Sequence, residues 1–380
     1  MKHTTTVPLA AAFEQRRPED EQYFVASQWR LMWRKFKQHR LAMVGSASIV
    51  LLFFVGVLLP EFFSTQDPME RNSDFLYCPP QRIRFVDQGR LQLTPFVYGL
   101  TRQRNPVTFG MEYGVDTTRK HPIRFFQRGD PYKLWGLFPA DVHLVGIDED
   151  PVFYLFGTDK LGRDLFSRVL YAARISLSVG FVGVFISFIL GCFLGGISGF
   201  FGGKVDMLIQ RIIEFLISLP TIPIWMGLAA AVPLEWPAVR VYFIITVILS
   251  IVGWAGLARV VRGKILSLRE EDYVRAAVIA GSGDMAVILR HLLPAFLSYL
   301  IVHLTLAIPG MILGETSLSF LGLGLRPPVI SWGVLLNEAQ NVKAIYTDPW
   351  LLIPGGFVMV TVLAFNFLGD GLRDAADPYR

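Results

Sequence analysis

The chain has 380 residues, of which 52% are hydrophobic, with a mean hydropathy of +0.44 and a formal net charge of +5. This composition is far too apolar for a soluble domain, so it predicts a polytopic membrane protein. The basic excess lies in segments that we place in the cytoplasm, and it therefore does not indicate nucleic acid as a partner. Cys78 lies in a polar segment and Cys192 in an apolar run, which excludes a disulfide framework.

Six uncharged runs are long enough to cross a hydrocarbon core, which takes about 20 residues. The predicted spans are residues 41–60, 175–203, 215–234, 241–258, 292–314 and 350–369. Lys and Arg are concentrated ahead of the first run, which predicts a cytoplasmic N-terminus by the positive-inside rule. Six crossings then return the C-terminus to the cytoplasm.

Residues 1–40 form a basic N-terminal segment with an amphipathic pattern. Its apolar side chains share one helical stripe, and they are Val25, Trp29, Met32, Trp33 and Phe36. Such a stripe is typical of a helix that lies on membrane lipid at the cytoplasmic leaflet. The same stripe also fits a helix that packs on the protein's own spans, because amphipathicity does not name the partner.

A polar, mixed-charge insertion at residues 61–156 separates the first two spans. Alternating residues at 82–86 and 90–93 flank a turn and predict a β-hairpin, and 122–127 is a further candidate strand. We therefore expect a small β-rich module on the outer side. Its exposed aromatic candidates are Phe96, Tyr98 and Tyr132.

A turn-rich motif at residues 156–168 closes the insertion. Its four charged candidates are Asp159, Arg163, Asp164 and Arg168, which can form an ion-pair network at the outer mouth of the second span. No nucleophile, base or metal ligand surrounds them, so the pattern favours a structural role over a catalytic one. Glu315, in a second outer motif after the fifth span, is assigned to the same gate or structural group.

Glycines recur every fourth residue in the second span, at Gly191, Gly195, Gly199 and Gly203. Small stripes of this kind let helices approach closely, either within one subunit or across a dimer. The nearby sequence 198–205 lacks the first glycine of a phosphate-binding loop and the hydroxyl residue after its lysine. We therefore predict no nucleotide site in this chain.

Two residues of the fifth span are pathway candidates. His303 is the only histidine inside a predicted span, and an intramembrane titratable group is a functional candidate. A histidine that only forms a hydrogen bond across helices explains the same residue, and this structural role is the favoured one. Pro309 can kink the helix and free a carbonyl near a pathway.

The polar stretch 272–294 lies between two spans on the predicted cytoplasmic side. Tyr273, Ala276, Ala277 and Ala280 share a helical face, and Gly281 is placed to end that helix. The small face leaves room for another protein to approach.

This stretch resembles the EAA loop of the permease subunits of ABC importers, in which the loop contacts the cytoplasmic ATPase. The residues that carry the resemblance or surround it are Asp272, Tyr273, Arg275, Ala276, Ala277, Gly281, Leu293 and Pro294. Arg275 departs from the family pattern, since many members have glutamate there. The motifs at 156–168, 314–333 and 367–378 resemble the dipeptide, oligopeptide and nickel branch, so the resemblance covers the chain from residue 156 onward.

The resemblance implies an all-α polytopic fold of six transmembrane helices with a β-rich periplasmic insertion between the first two. The expected parts are a cytoplasmic segment 1–40, a first helix 41–60, an insertion 61–156 and a five-helix core 157–380. The implied partners are a second homologous permease, two ABC ATPases and a periplasmic binding protein, in a bacterial inner membrane. ATP and Mg are expected in the ATPases, and no cofactor, metal or catalytic residue is expected in this chain.

Two alternatives stay open at this point. The peptide branch includes carriers of oligosaccharides and of sugar or opine conjugates, and the insertion fits a specialised substrate. An ion-coupled secondary carrier belongs to a different class, and such carriers typically place ionisable groups at mid-membrane and contain internal inverted repeats. The six runs here contain no Asp, Glu, Lys or Arg and show no such repeat.

Overall fold

The computed structural model describes residues 28–87, 89–104, 106, 111–147, 153–341 and 346–376. In this part of the chain a helical bundle carries one inserted sheet. The helices are α1 Gln28–Gln38, α2 Arg40–Leu52, α3 Pro60–Phe63, α4 Leu165–Phe201, α5 Gly203–Ser218, α6 Thr221–Ala230, α7 Ala238–Leu268, α8 Asp272–Ile279, α9 Asp284–Val287, α10 Leu293–Ala295, α11 Leu297–Phe320, α12 Trp332–Glu338 and α13 Ile353–Ala376. The strands are β1 Arg84–Asp87, β2 Arg90–Arg104, β3 Met111–Leu134 and β4 Phe138–Ile147.

Irregular helical turns extend three of these helices. The π-helical turns Phe53–Leu58 and Ile288–Leu292 continue α2 and α9, and the 3-10 turn Pro349–Leu352 leads into α13. Over the described residues, five segments are long and apolar enough to cross a membrane, namely Arg40–Leu58, Leu165–Phe201, Ala238–Leu268, Leu297–Phe320 and Pro349–Ala376. The sixth crossing is reached only if α5 and α6 count together as one span.

The predicted third span, 215–234, does not form one continuous helix. The structure instead has α5 and α6 at an angle of 90°. Leu219 between them is extended, with φ −90° and ψ 140°, and Pro220 follows it. Proline disfavours helical backbone in the residue before it and lacks the amide that would continue the ladder, so the helix ends here.

The glycine stripe packs inside the subunit. A Cβ added at Gly195 of α4 would lie 2.5 Å from the carbonyl oxygen of Ala258 on α7, and one at Gly191 would lie 2.9 Å from the side chain of Leu257. Gly203 does not join the stripe, because it begins α5 with φ +57° and has open space around it. The glycines of α4 therefore set how closely α4 and α7 approach.

The N-terminal amphipathic helix α1 packs on the protein's own last helix. Met32 and Phe36 are buried against Ala375 of α13. Trp33, on the same predicted stripe, stays 55% exposed. Val25 and the side chain of Trp29 lie outside the described residues. One part of the apolar stripe is thus covered by the protein's own last helix, whereas Trp33 is not covered by the chain.

The insertion contains a four-stranded antiparallel sheet in the order β1-β2-β3-β4. The predicted hairpin is confirmed, with Val86 opposite Leu91 and Asp87 opposite Arg90. The predicted strand 122–127 lies within β3, which is much longer than expected.

The expectation that Phe96 is exposed is wrong, since its side chain is only 2% accessible. Its neighbour Val97 is buried as well, against Ile123 and Phe153. Consecutive strand residues point to opposite faces, so both faces of the sheet are covered at this position.

Candidate functional site

Helix α8 presents an exposed face above a buried anchor. Val274 is 1% accessible and packs in a cluster with Val261 and Ile265 of α7. Tyr273 and Ala276 lie on the opposite, exposed side, and Ile279 at the end of α8 is 87% exposed. An isoleucine so exposed next to small residues is a surface suited to protein contact. Ile279 was missed by the sequence analysis, which followed the alanine face only.

Gly281 ends this helix as predicted. Its φ is +85°, and its amide donates to the carbonyl of Val278 at 3.0 Å. The amide of Ser282 donates to the carbonyl of Ala277 at 3.1 Å. These two bonds form a Schellman cap, which satisfies carbonyls that the helix end leaves free. Because nothing lies within 4 Å of a Cβ added at Gly281, only the backbone conformation requires glycine there.

The second half of the loop is fixed to the membrane helices. Val287, Ile288 and Leu292 are buried in the same cluster as Val274. A Cβ added at Gly196 of α4 would lie 3.0 Å from the Ile288 side chain. Leu293 is half-buried and packs at the edge of this cluster. The loop therefore contacts α4 and α7 directly rather than through a flexible linker.

The remaining loop residues lie outside this buried cluster. Asp272 is exposed in the first turn of α8. A negative charge there stabilises the helix, because the helix dipole is positive at its N-terminus. Pro294 is exposed at the start of α10. Arg275 pairs with Glu270 at 2.7 Å, and this hydrogen bond lowers the pKa of the Glu270 carboxyl.

A cavity of about 380 Å³ lies between the middle parts of α4, α7 and α11, beside the end of α5 and the start of α6. Its lining is mostly apolar, and among the residues that the structure describes His303 is the only titratable side chain in it. The His303 ring stacks on Tyr299 with 6.3 Å between centroids, and the expected hydrogen bond across helices is not found in the described structure. Pro309 is buried and does not line the cavity, whereas its neighbour Gly310 does.

Four buried charges form a network at the N-terminal end of α4. Arg163 Nε lies 2.7 Å from Asp159 Oδ2 and Arg163 Nη2 lies 2.9 Å from Glu338 Oε1. Arg168 also pairs with Asp159, and its Nη2 is 3.6 Å from Glu338. Two acids and two guanidiniums balance in charge, as buried ions require. Glu338 was missed by the sequence analysis, because no local pattern connects it to residues so far back in the chain.

Asp164 does not join this network. It caps α4 instead, accepting from the Ser167 amide at 2.7 Å and from the Thr65 hydroxyl at 3.0 Å. Burial raises the pKa of the Asp164 carboxyl, and this effect outweighs the hydrogen bonds from Ser167 and Thr65, which lower it. The residue connects the start of α4 to the chain that leads into the sheet.

Glu315 is completely buried near the C-terminal end of α11. Its Oε1 accepts from the hydroxyls of Ser319 and Ser331 at 2.8 Å each, and its Oε2 lies 3.1 Å from the Ser176 hydroxyl. The Ser331 and Ser176 oxygens accept in turn from the amides of Val334 and Trp332. The carboxyl therefore joins α11 to α4 and to the start of α12.

Comparison with known proteins places the chain among transport components. Residues 172–379 match the family model described as binding-protein-dependent transport system inner membrane component. Residues 27–80 match the N-terminal transmembrane domain of oligopeptide transport permease C. The sheet lies between the two matched segments.

Individual relatives agree with these matches. An oligopeptide transport system permease protein of Haemophilus influenzae is 43% identical over 227 residues, which cover 60% of this chain and 70% of the relative. A dipeptide transport system permease protein of Bacillus subtilis is 42% identical, covering 59% and 68%. The oligopeptide permease protein of Escherichia coli is 41% identical, covering 59% and 72%. The chain belongs to the family of binding-protein-dependent transport system inner membrane components, the membrane permease subunits of ABC importers, whose ATPase is a separate subunit.

Proposed function

We propose that this permease forms half of a translocation pathway for peptides. The substrate class is taken from relatives whose names are oligopeptide and dipeptide transport permeases. In this proposal the chain pairs with a second homologous permease. Two ATPases bind ATP and Mg in the cytoplasm, and a periplasmic binding protein delivers the peptide. The membrane is the bacterial inner membrane, with both termini of the chain in the cytoplasm.

The observation that carries the proposal is the construction of the loop around α8. Its exposed face, with Tyr273, Ala276 and Ile279, is where an ATPase would dock. Its buried face, with Val274, rests directly on α7. A rigid helix that contacts a partner on one side and a membrane helix on the other can convert closure of the ATPases into tilting of the spans.

The cavity beside His303 is the part of the pathway that this chain would supply. Gly253, Gly256 and Gly310 line it and leave space where two permeases would meet. An apolar wall with a single imidazole offers little specific binding, so passing peptides would not be held tightly. We therefore assign selection of the peptide mainly to the binding protein.

The test is reconstitution of the permease pair with its ATPases in lipid vesicles. We expect a peptide-loaded binding protein to stimulate ATP hydrolysis and uptake. Ala276→Arg should abolish ATPase co-purification, because it places a long charged side chain on the docking face, while Ala276→Ser should retain it. Uptake driven by an ion gradient without the ATPases would contradict the proposal.

Gly281 gives a second test of the same loop. Gly281→Val forces a β-branched residue to φ +85° and should lower stimulated ATP hydrolysis at least tenfold. Gly283→Ser is the matched control, since Gly283 has φ −67° with open space around it and serine is a good helix N-cap. Equal activity of the two variants would show that the cap is not needed for coupling.

A further inference from the structure

The turn between β3 and β4 exposes a cluster of large apolar side chains. We call residues 134–138 the hairpin tip. Trp135 is 54% exposed, Leu137 73% and Phe138 59%. Hairpin turns in water are normally polar. An apolar cluster at the end of a hairpin therefore marks a surface that is covered by something else.

Two contacts show which way the hairpin points. Farther from the tip, His143 Nδ1 of β4 lies 2.8 Å from the carbonyl oxygen of Ser64, which follows α3. At the tip, Trp135 Nε1 donates to the carbonyl oxygen of Leu58 at 2.7 Å. Leu58 is the last residue of the membrane span Arg40–Leu58. The hairpin thus runs back along the chain from the outer loop toward the bilayer, and its tip is level with the end of the span.

The apolar surface of the tip continues that of the span. Leu58 and Phe54 are each 46% exposed on the same helical segment, where lipid is their natural neighbour. The indole of Trp135 offers an apolar ring together with one donor, and tryptophan is enriched where membranes meet water for that reason. Its donor is already used on the Leu58 carbonyl, at a helix end where carbonyls lack helical partners.

The backbone of the turn is also suited to a partly dry environment. The amide of Gly136 donates to the carbonyl of Lys133 and the amide of Leu137 to the carbonyl of Leu134, both at 3.0 Å. These amides need no water, which lowers the cost of placing the turn at the lipid boundary. Lys133, exposed beside the tip, can direct its ammonium toward headgroups.

We propose that the hairpin tip inserts into the lipid–water interface of the leaflet at the Leu58 end of the first span. The occupant of the apolar surface is phospholipid, and the sheet is held at the membrane at two points, by the covalent connection through α3 and by the tip. This inference concerns the sheet alone and does not depend on which solute the permease carries.

The test places an environment-sensitive fluorophore at the tip of the full-length protein. Leu137→Cys, labelled with a nitrobenzoxadiazole maleimide in a Cys192→Ala background, is reconstituted in phosphatidylcholine and phosphatidylglycerol vesicles. Val115→Cys, on the opposite half of β3 and 59% exposed, is the matched control. Both substitutions fall on exposed side chains, so folding is not at stake.

We expect the probe at 137 to emit at shorter wavelength than the probe at 115. Lipids with a nitroxide near the headgroup should quench the probe at 137 at least twofold more strongly than the probe at 115. Equal emission and equal quenching at the two positions would overturn the proposal. So would a probe at 137 that stays water-exposed until the periplasmic binding protein is added, because the tip would then be a protein contact.

Discussion

Arg163 and Glu338, 175 residues apart in the chain, form a buried ion pair with 2.9 Å between Nη2 and Oε1. The pair joins the motif before α4 to the end of α12. Its charges balance only as a group of four, since Arg168 and Asp159 share the same site.

Glu338→Gln should therefore destabilise the permease strongly. It leaves two guanidiniums with the single carboxylate of Asp159, and breaking a buried ion pair costs about 3–5 kcal/mol. Glu214→Gln is the control, since the Glu214 side chain is 54% exposed in its pair with Arg211, and exposed pairs contribute about 1 kcal/mol or less. Thermal unfolding in detergent measures the stability of both purified variants. A similar melting temperature for the two would contradict a stabilising role for the buried network.

Gly195→Ala should weaken the contact between α4 and α7. The added methyl group would lie 2.5 Å from the Ala258 carbonyl oxygen, so the helices must separate, at a cost of about 1–3 kcal/mol. Gly263→Ala on α7 is the counterpart, because nothing lies within 4 Å of that position. It should be neutral or stabilising by about 0.5–1 kcal/mol, as expected of alanine in a helix. Equal unfolding temperatures would show that the glycine does not set the helix distance.

Glu315→Ala should cost more than Glu315→Gln. Alanine leaves the hydroxyls of Ser176, Ser319 and Ser331 without their acceptor, at about 1–3 kcal/mol for each group left unpaired. Glutamine keeps one oxygen for Ser319 and Ser331. Thr305→Val on the same helix is the control, since that hydroxyl bonds only to the Ile301 carbonyl one turn before it. Equal stability loss for the two Glu315 variants would rule out the serine contacts as the cause.

The thiol of Cys78 should resist alkylation in the folded protein. Burial raises its pKa from 9.0 to about 12. Between these two pH values the thiol therefore stays protonated in the native chain and ionises in the unfolded chain. Native stability is therefore independent of this group below pH 9 and falls as the pH rises from 9 toward 12. In a Cys192→Ala variant, alkylation between pH 7 and 9 should be about a thousandfold slower in the folded protein than in denaturant, because the thiolate is the reacting form and the pKa is raised from 9.0 to about 12. In denaturant the rate should level off above pH 9, whereas in the folded protein it should go on rising.

This burial also limits what Cys78 can report about topology. Its side chain is 0% exposed, so its failure to react from outside says nothing about which side of the membrane it occupies. Labelling of Val115→Cys from the periplasm and of Ile279→Cys from the cytoplasm tests the proposed orientation directly, because both side chains are exposed.

Local patterns were sufficient for the features that depend on nearby residues. The uncharged runs located five membrane helices, and the alternation around residues 87–89 located the first hairpin. The end of α8 followed from Gly281, because its conformation is decided by the residue itself.

Features that depend on residues distant in the chain could not be predicted from local patterns. No pattern near Glu338 indicates that it pairs with Arg163, and the burial of Phe96 depends on which residues cover the second face of the sheet. The bend before Pro220 illustrates an intermediate case. The proline was visible in the sequence, but the apolar run on both sides of it predicted one span over 215–234 rather than two helices at 90°.

The close approach of the first and last membrane helices has a consequence for biosynthesis. A Cβ added at Gly45 of α2 would lie 3.0 Å from Cβ of Phe367 on α13, and Phe36 and Ala42 surround Gly371. The α13 partners are synthesised after the sheet and the central helices, whereas α2 is synthesised before them. During translation α2 therefore stays in lipid without its contacts to α13 while the sheet and the central helices are made. A ribosome that stalls before α13 leaves a chain whose first span is held laterally only at its far end, where Phe53 packs on Phe181 of α4.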